Sequence, residues 1–170
     1  ALTHPSVLKN IHKNYIKSGA RIIISNTFAT CKHTLKDADQ SHNFERLNSA
    51  GVRLAQEACA EIGEKDILVA GGVSYWSFTG IHPSLEELRS NIVEQTNIIA
   101  LSGADLIMLE MMVDIDRMLV TLEAAQQTKL PVWVGLSCIP NSMGRMCLEN
   151  GDPLDEAVCH LLDKNVDVIN

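Results

Sequence analysis

A chain of 170 residues with 46% hydrophobic content is long enough to close one compact core. Its 14 Lys+Arg against 21 Asp+Glu give a net charge of −7 with no basic run, which argues against nucleic acid or an anionic membrane as partner. The apolar periodicity excludes a disordered chain, and no apolar stretch approaches the ~20 residues that span a bilayer.

Val7, Leu8, Ile11, Tyr15 and Ile16 recur at helical spacing, with Pro5 suited to the start of that helix and Gly19 to its end. The β-branched run Arg21–Thr27 reads as a strand buried on both faces, and a polar loop from Phe28 to about Ser41 follows. A long helix carries Phe44, Leu47, Gly51, Leu54, Ala55, Ala58 and Ile62, and Ile67–Val73 is the second strand. After a loop from Ser74 to Pro83, Ser84 and Glu87 form a capping box that opens a helix with Leu85, Leu88, Ile92, Ile99 and Ala100. Gly103 closes it, and Asp105–Glu110 is the third strand. Asp114 can cap a helix bearing Met118, Leu119, Leu122 and Ala125, and Pro131–Ser137 is the fourth strand. Asp152-Pro153 reads as a cap followed by a first-turn proline, with Leu154, Ala157, Val158, Leu161 and Leu162 as the buried stripe behind it. Val166–Asn170 begins a fifth strand.

Strict alternation of helices with buried strands implies parallel pairing through right-handed crossovers. Ser18-Gly19-Ala20 and Ser102-Gly103-Ala104 echo each other, each joining a helix to a strand. The chain reads as a single domain, residues 1–170, with no linker or low-complexity segment. It begins with a helix and stops at a strand, so the expected architecture is a partial (β/α)8 TIM barrel. About five of eight βα units are present, and the first strand and the last units are absent. An open doubly wound sheet is the rival, disfavoured because Asn26-Thr27-Phe28-Ala29 is not a Gly-rich phosphate loop. Such a piece is expected to be poorly soluble alone, because both sheet edges stay open. No secretory leader is visible, although a removed one stays open.

Five cysteines, an odd number without a C-x-x-C pair, argue against a disulfide framework and for a reducing, cytoplasmic setting. Cys59 and Cys159 lie on helical patterns and are expected to be small core residues. His4 and His12 are expected at a helix surface, and His33, His42, Asp37 and Asp39 in a solvated loop.

In a parallel α/β architecture, chemistry sits at the C-terminal ends of the strands. That rule selects Asn26, Thr27 and Phe28; Gly72, Val73 and Ser74; Glu110; Ser137 and Cys138; and Asn170. Glu110 closes an otherwise apolar strand, so it is either paired with a neighbour or a fixed anion for a substrate ammonium. The loop Ser74–Gly80 holds three of the seven aromatics. Its rings either attract a cation over the site or pack the loop onto the barrel rim.

The segments SGARIIISNTFAT, ILVAGGV, SGADLIMLEMM and LPVWVGLSC, with the tail NGDPLDEAVCHLLDKNVDVIN, resemble the homocysteine S-methyltransferase family through nearly the whole chain. The resemblance implies an eightfold β/α barrel. It also implies transfer of a methyl group from a charged donor to the thiol of homocysteine, giving methionine. Glu110 matches the family's homocysteine-binding glutamate and Thr27-Phe28 a pair lining its site, with Asn26 and Ser74 at the pocket edge. A zinc held by three cysteines is implied for the family, but no residue here matches those ligands. The first would stand about where the chain stops at Asn170, and Cys31, Cys138 and Cys147 do not correspond. Small molecules are the implied partners, and self-association into a homo-oligomer stays open. The alternatives are a zinc-free branch of the family with another thiol substrate or a binding role, and an unrelated TIM-barrel lyase. A lyase would want a strand-end lysine, and no strand end here has one.

Overall fold

The computed structural model describes residues 1–170. Helix α1 (Pro5–Lys17) starts on Pro5, where a missing N–H costs nothing, and leads into β1 (Ile22–Ile24). A short helix α2 (Lys32–Asp37) lies within the stretch expected as loop, ahead of α3 (Phe44–Ile62) and β2 (Leu68–Val73). Helix α4 (Leu85–Leu101) is capped as expected, the Ser84 hydroxyl accepting the Glu87 N–H at 3.2 Å. Strand β3 (Leu106–Met112) follows, and then α5 (Ile115–Ala125), whose N–H of Arg117 donates to Asp114 at 2.7 Å. Strand β4 (Val132–Leu136) runs into an unforeseen antiparallel hairpin, β5 (Cys138–Pro140) and β6 (Met146–Leu148). Helix α6 (Leu154–Leu162) and β7 (Val168–Ile169) complete the chain.

The five long-range strands form one parallel sheet in the order β1-β2-β3-β4-β7, each crossing over to its sequential neighbour. This is the run of βα units that a barrel wall requires. The two turns that echo each other in sequence share one geometry. Gly19 at φ 101° and Gly103 at φ 94° take the left-handed conformation that ends a helix, and Ala20 and Ala104 each donate back to the helix five residues earlier.

The faces of the sheet differ. Ile23, Val69, Ile107, Leu109 and Val134 meet Ile92, Ile99 and Leu122 of the helices in a cluster of 24 buried residues. The other, inner face buries only three, Ala70, Leu106 and Met108, with Ile22 and Trp133 alongside. The main core therefore lies between sheet and helices, and the inner face is left for other uses.

Four expectations are corrected. α1 turns His12 and Ile16 inward, leaving Val7, Ile11 and Tyr15 exposed, so His12 is buried at 5% exposure and not a surface residue. Cys159 is exposed, because α6 buries Ala157 and Leu161 and turns its Cys159 and Leu162 outward, while Cys59 on α3 is half-buried at the margin of the main core. Asp152 does not cap its own helix; its carboxylate accepts the Ile115 N–H at 2.9 Å and so joins α6 to the start of α5. His33 is not solvated, as its contacts below show.

Candidate functional site

Strand register places Ile24, Gly72, Glu110 and Gly135 together near the C-terminal end of the inner face. Glu110 is aimed by a β-bulge. Leu109 pairs with Val134 and Met112 with Leu136, so Glu110 and Met111 together oppose Gly135 alone. Met111 sits at φ 60°, a left-handed conformation that a non-glycine residue adopts at some cost in free energy.

Glu110 is half-buried and lines two adjoining cavities of about 560 and 310 Å3. Its Oε1 is buried without a hydrogen-bond partner, and it forms no salt bridge. Neither cavity is lined by a lysine or an arginine. The one histidine in the larger cavity is His12, and burial pushes its pKa down, which keeps the ring neutral at pH 7. Burial likewise raises the Glu110 carboxyl above its ordinary value of 4.5. A carboxylate in this setting gains most from a cation supplied by a ligand, because its own protein offers none.

Asn26 and Phe28 line the same cavity as Glu110. Thr27 and Ser74 point elsewhere. Thr27 is fully buried; its hydroxyl donates to the Gly72 carbonyl at 2.6 Å and lies 2.7 Å from the Ser25 hydroxyl. Ser74 is equally buried and accepts the Trp76 N–H at 3.2 Å. Both hold the strand ends rather than line the opening. Ser137 and Asn170, selected by the strand-end rule, line the smaller cavity beside Glu110.

The aromatic loop divides its residues between two roles. The Tyr75 ring is buried, and its hydroxyl accepts the N–H groups of Val113 at 2.7 Å and Asp114 at 3.1 Å. Trp76 packs edge-on to Phe78 at 4.4 Å between ring centroids and lies 6.0 Å from Phe28. A continuous aromatic shelf thus runs from the exposed loop to the wall of the Glu110 cavity.

A third cavity, of about 650 Å3, lies apart from Glu110 and is lined by Lys32, His33, Lys36, Asp37, His82 and Glu94 among others. There Lys32 pairs with Glu94, and Asp37 accepts the Thr79 hydroxyl at 3.2 Å. His33 Nε2 lies 3.1 and 2.9 Å from the carbonyls of Tyr75 and Trp76, and 3.5 Å from the Cys31 sulfur. Burial pushes the His33 pKa down, but the Cys31 sulfur and these carbonyls outweigh it and raise it. No group of three or more His, Cys, Asp or Glu side chains is placed to hold a metal ion, so the residues present do not fit the zinc that the resemblance implies. No helix is long and apolar enough to cross a membrane.

Parallel βα units in this order, with an unpaired carboxyl group at the strand ends, define a β/α-barrel protein. The chain belongs to the homocysteine S-methyltransferase family, whose pattern matches residues 1–170. It is similar to betaine–homocysteine S-methyltransferase 1 of Danio rerio, 24% identical over 83% of this chain and 35% of that protein. It is also similar to the S-methylmethionine–homocysteine S-methyltransferase BHMT2 of Mus musculus, 24% identical over 80% of this chain and 35% of that protein. Among solved structures, the metallated homocysteine methyltransferase MmuM from Escherichia coli superposes with a TM-score of 0.83 at 19% identity. That match covers 99% of this chain and 63% of MmuM, and it carries the partial-barrel fold. The chain thus spans about a third of the length of these curated relatives.

Proposed function

We propose that the protein binds homocysteine by its ammonium group on Glu110 and passes a methyl group from a positively charged donor to its thiol, giving methionine. The observation that carries this reading is the Glu110 carboxylate, buried on one oxygen and without a cation in reach, in a chain of this family. Asn26 and Phe28 form the wall beside the amino acid, while Thr27 and Ser74 fix the strand ends behind that wall.

An alkyl thiol has a pKa near ~8.5, so the reacting species is a minority at neutral pH and must be positioned well. The thiol gives up its proton, the sulfur forms a bond to the methyl carbon, and the bond from that carbon to the donor's sulfur or nitrogen breaks. The proton passes to solvent, and the donor's sulfur or nitrogen leaves without its positive charge. Holding the ammonium at Glu110 fixes the amino acid at one end, so that its sulfur explores less space. The shelf of Phe28, Trp76 and Phe78 is suited to a sulfonium or quaternary ammonium, at ~0.5–2 kcal/mol per well-placed ring. Zinc is assigned to no residue of this chain, and no step is routed through it. The five free cysteines support a reducing, cytoplasmic setting.

Methionine formation should be measured in the protein that carries these 170 residues, with S-methylmethionine, betaine and S-adenosylmethionine offered in turn. Turnover with at least one donor is expected. Absence of turnover with all three, together with no binding of homocysteine, would reject the reading.

A further inference from the structure

Two consecutive glycines, Gly71 and Gly72, lie at the end of β2, each facing one side of the sheet. A Cβ on Gly71 would collide with the Ile99 side chain in the helix-side core. A Cβ on Gly72 would fall on the Oε1 of Glu110 and 2.9 Å from Cγ2 of Ile24. Ile24 is part-exposed on an edge strand and can give way. The carboxyl group is the end of a flexible side chain and must also move; the bulge fixes only where that side chain leaves the strand, and side-chain-free Gly135 on β4 leaves it room to turn that way. A Cβ on Gly135 would in turn stand 3.2 Å from the Leu109 carbonyl. The carboxylate therefore lies across bare backbone on β2, touching it without a hydrogen bond.

We propose that Gly72 is the positioning residue for the Glu110 carboxylate, and that its missing side chain sets the protein's selectivity for a thiol substrate carrying an ammonium group. The proposal rests on the reading of Glu110 as the amine-binding anion. Without a methyl group at position 72 the carboxylate can rest against β2, with its unpartnered oxygen held at the cavity wall. With one, it must swing toward β4 and away from the place where the ammonium docks. The thiol end of the substrate makes no use of that space.

The test compares Gly72→Ala, Glu110→Ala and the double variant with the unaltered protein. Dissociation constants are measured for homocysteine and for 4-sulfanylbutanoate, the same thiol without its amino group, and kcat and KM are measured for homocysteine. Gly72→Ala is expected to raise the Kd and KM for homocysteine about tenfold and to move kcat by no more than about twofold, the pattern of lost uniform binding. The Kd for 4-sulfanylbutanoate is expected to stay unchanged, and the substitution is expected to add nothing in the Glu110→Ala background. Equal weakening of both thiols, or the same tenfold loss without Glu110, overturns the proposal. If Gly72→Ala alone fails to fold, the double variant decides: recovery of a cooperative melt supports the clash with Glu110, and continued failure overturns it. A Glu110→Ala protein that binds homocysteine as well as the unaltered one rejects the amine-binding reading itself. That result is distinct from Gly72→Ala having no effect while Glu110→Ala is damaging, which rejects the proposal alone.

Discussion

The polar cavity beside α2 is larger than the one beside Glu110, about 650 against 560 Å3, and far richer in charge. Yet Lys32 has Glu94, Asp37 has Thr79, and the other two charged residues of the lining, Lys36 and Glu87, are exposed to water. The Glu110 cavity is mostly apolar and carries one carboxyl group that the protein leaves unanswered. Under the proposed reading, an uncompensated charge marks the binding site better than size or polarity does. A satisfied ion pair at the surface has little left to offer a ligand, whereas a desolvated anion has most of its interaction still to make.

The comparison can be tested most severely at Glu110. Glu110→Ala is expected to weaken homocysteine binding by at least ~1.5 kcal/mol, the low end for a charge-assisted contact, as read by titration calorimetry. Unaltered affinity would place the site elsewhere. Next in size is the pH dependence. Only the ionised carboxylate attracts the ammonium, and burial raises its pKa above 4.5 in the free protein. Affinity is therefore expected to fall by about tenfold per pH unit once the pH drops below that raised value. In Glu110→Gln the acid limb should vanish.

A smaller effect is expected on stability. Because the folded carboxyl holds its proton more tightly than the unfolded one, the unaltered protein loses stability as pH rises from about 4.5 through the raised pKa. Glu110→Gln should therefore be more stable at neutral pH, with the gain disappearing below about pH 4 in urea titrations. The smallest effect belongs to the other cavity. Lys32→Ala removes a part-exposed pair with Glu94 and a cation stacked 5.3 Å from the Phe44 ring. It should cost no more than about 1 kcal/mol and leave homocysteine affinity as it was. A large affinity loss there would reverse the ranking of the two cavities.

Most of the sheet was legible because its signals are local. The Ser84 and Asp114 caps and the glycine turns at Gly19 and Gly103 each depend on a few adjacent residues, and all four form as read. The misses arise where partners come from afar. Asp152 carries the letters of a helix cap, yet its acceptor serves Ile115, 37 residues away. The hairpin of β5 and β6 has three residues per strand, too few for an alternation to show. His12 lies four residues from both Leu8 and Ile16, on the stripe of α1 that turns inward, but a histidine can serve a surface as well as a core, which masks that spacing. At the site, the strand-end rule picked out Glu110, Asn26 and Phe28, which line one cavity, but it could not tell which way Thr27 and Ser74 turn. Nor did it signal the bulge, since nothing in Glu110-Met111-Met112 announces an extra residue in the strand.

The Tyr75 hydroxyl has a mechanical consequence. It rivets the root of the aromatic loop to the backbone just past the end of β3, through two amide groups at once. Trp76 cannot drift outward without tugging on the segment that follows Glu110. The berths proposed for donor and acceptor are therefore tied to a common frame through one phenol.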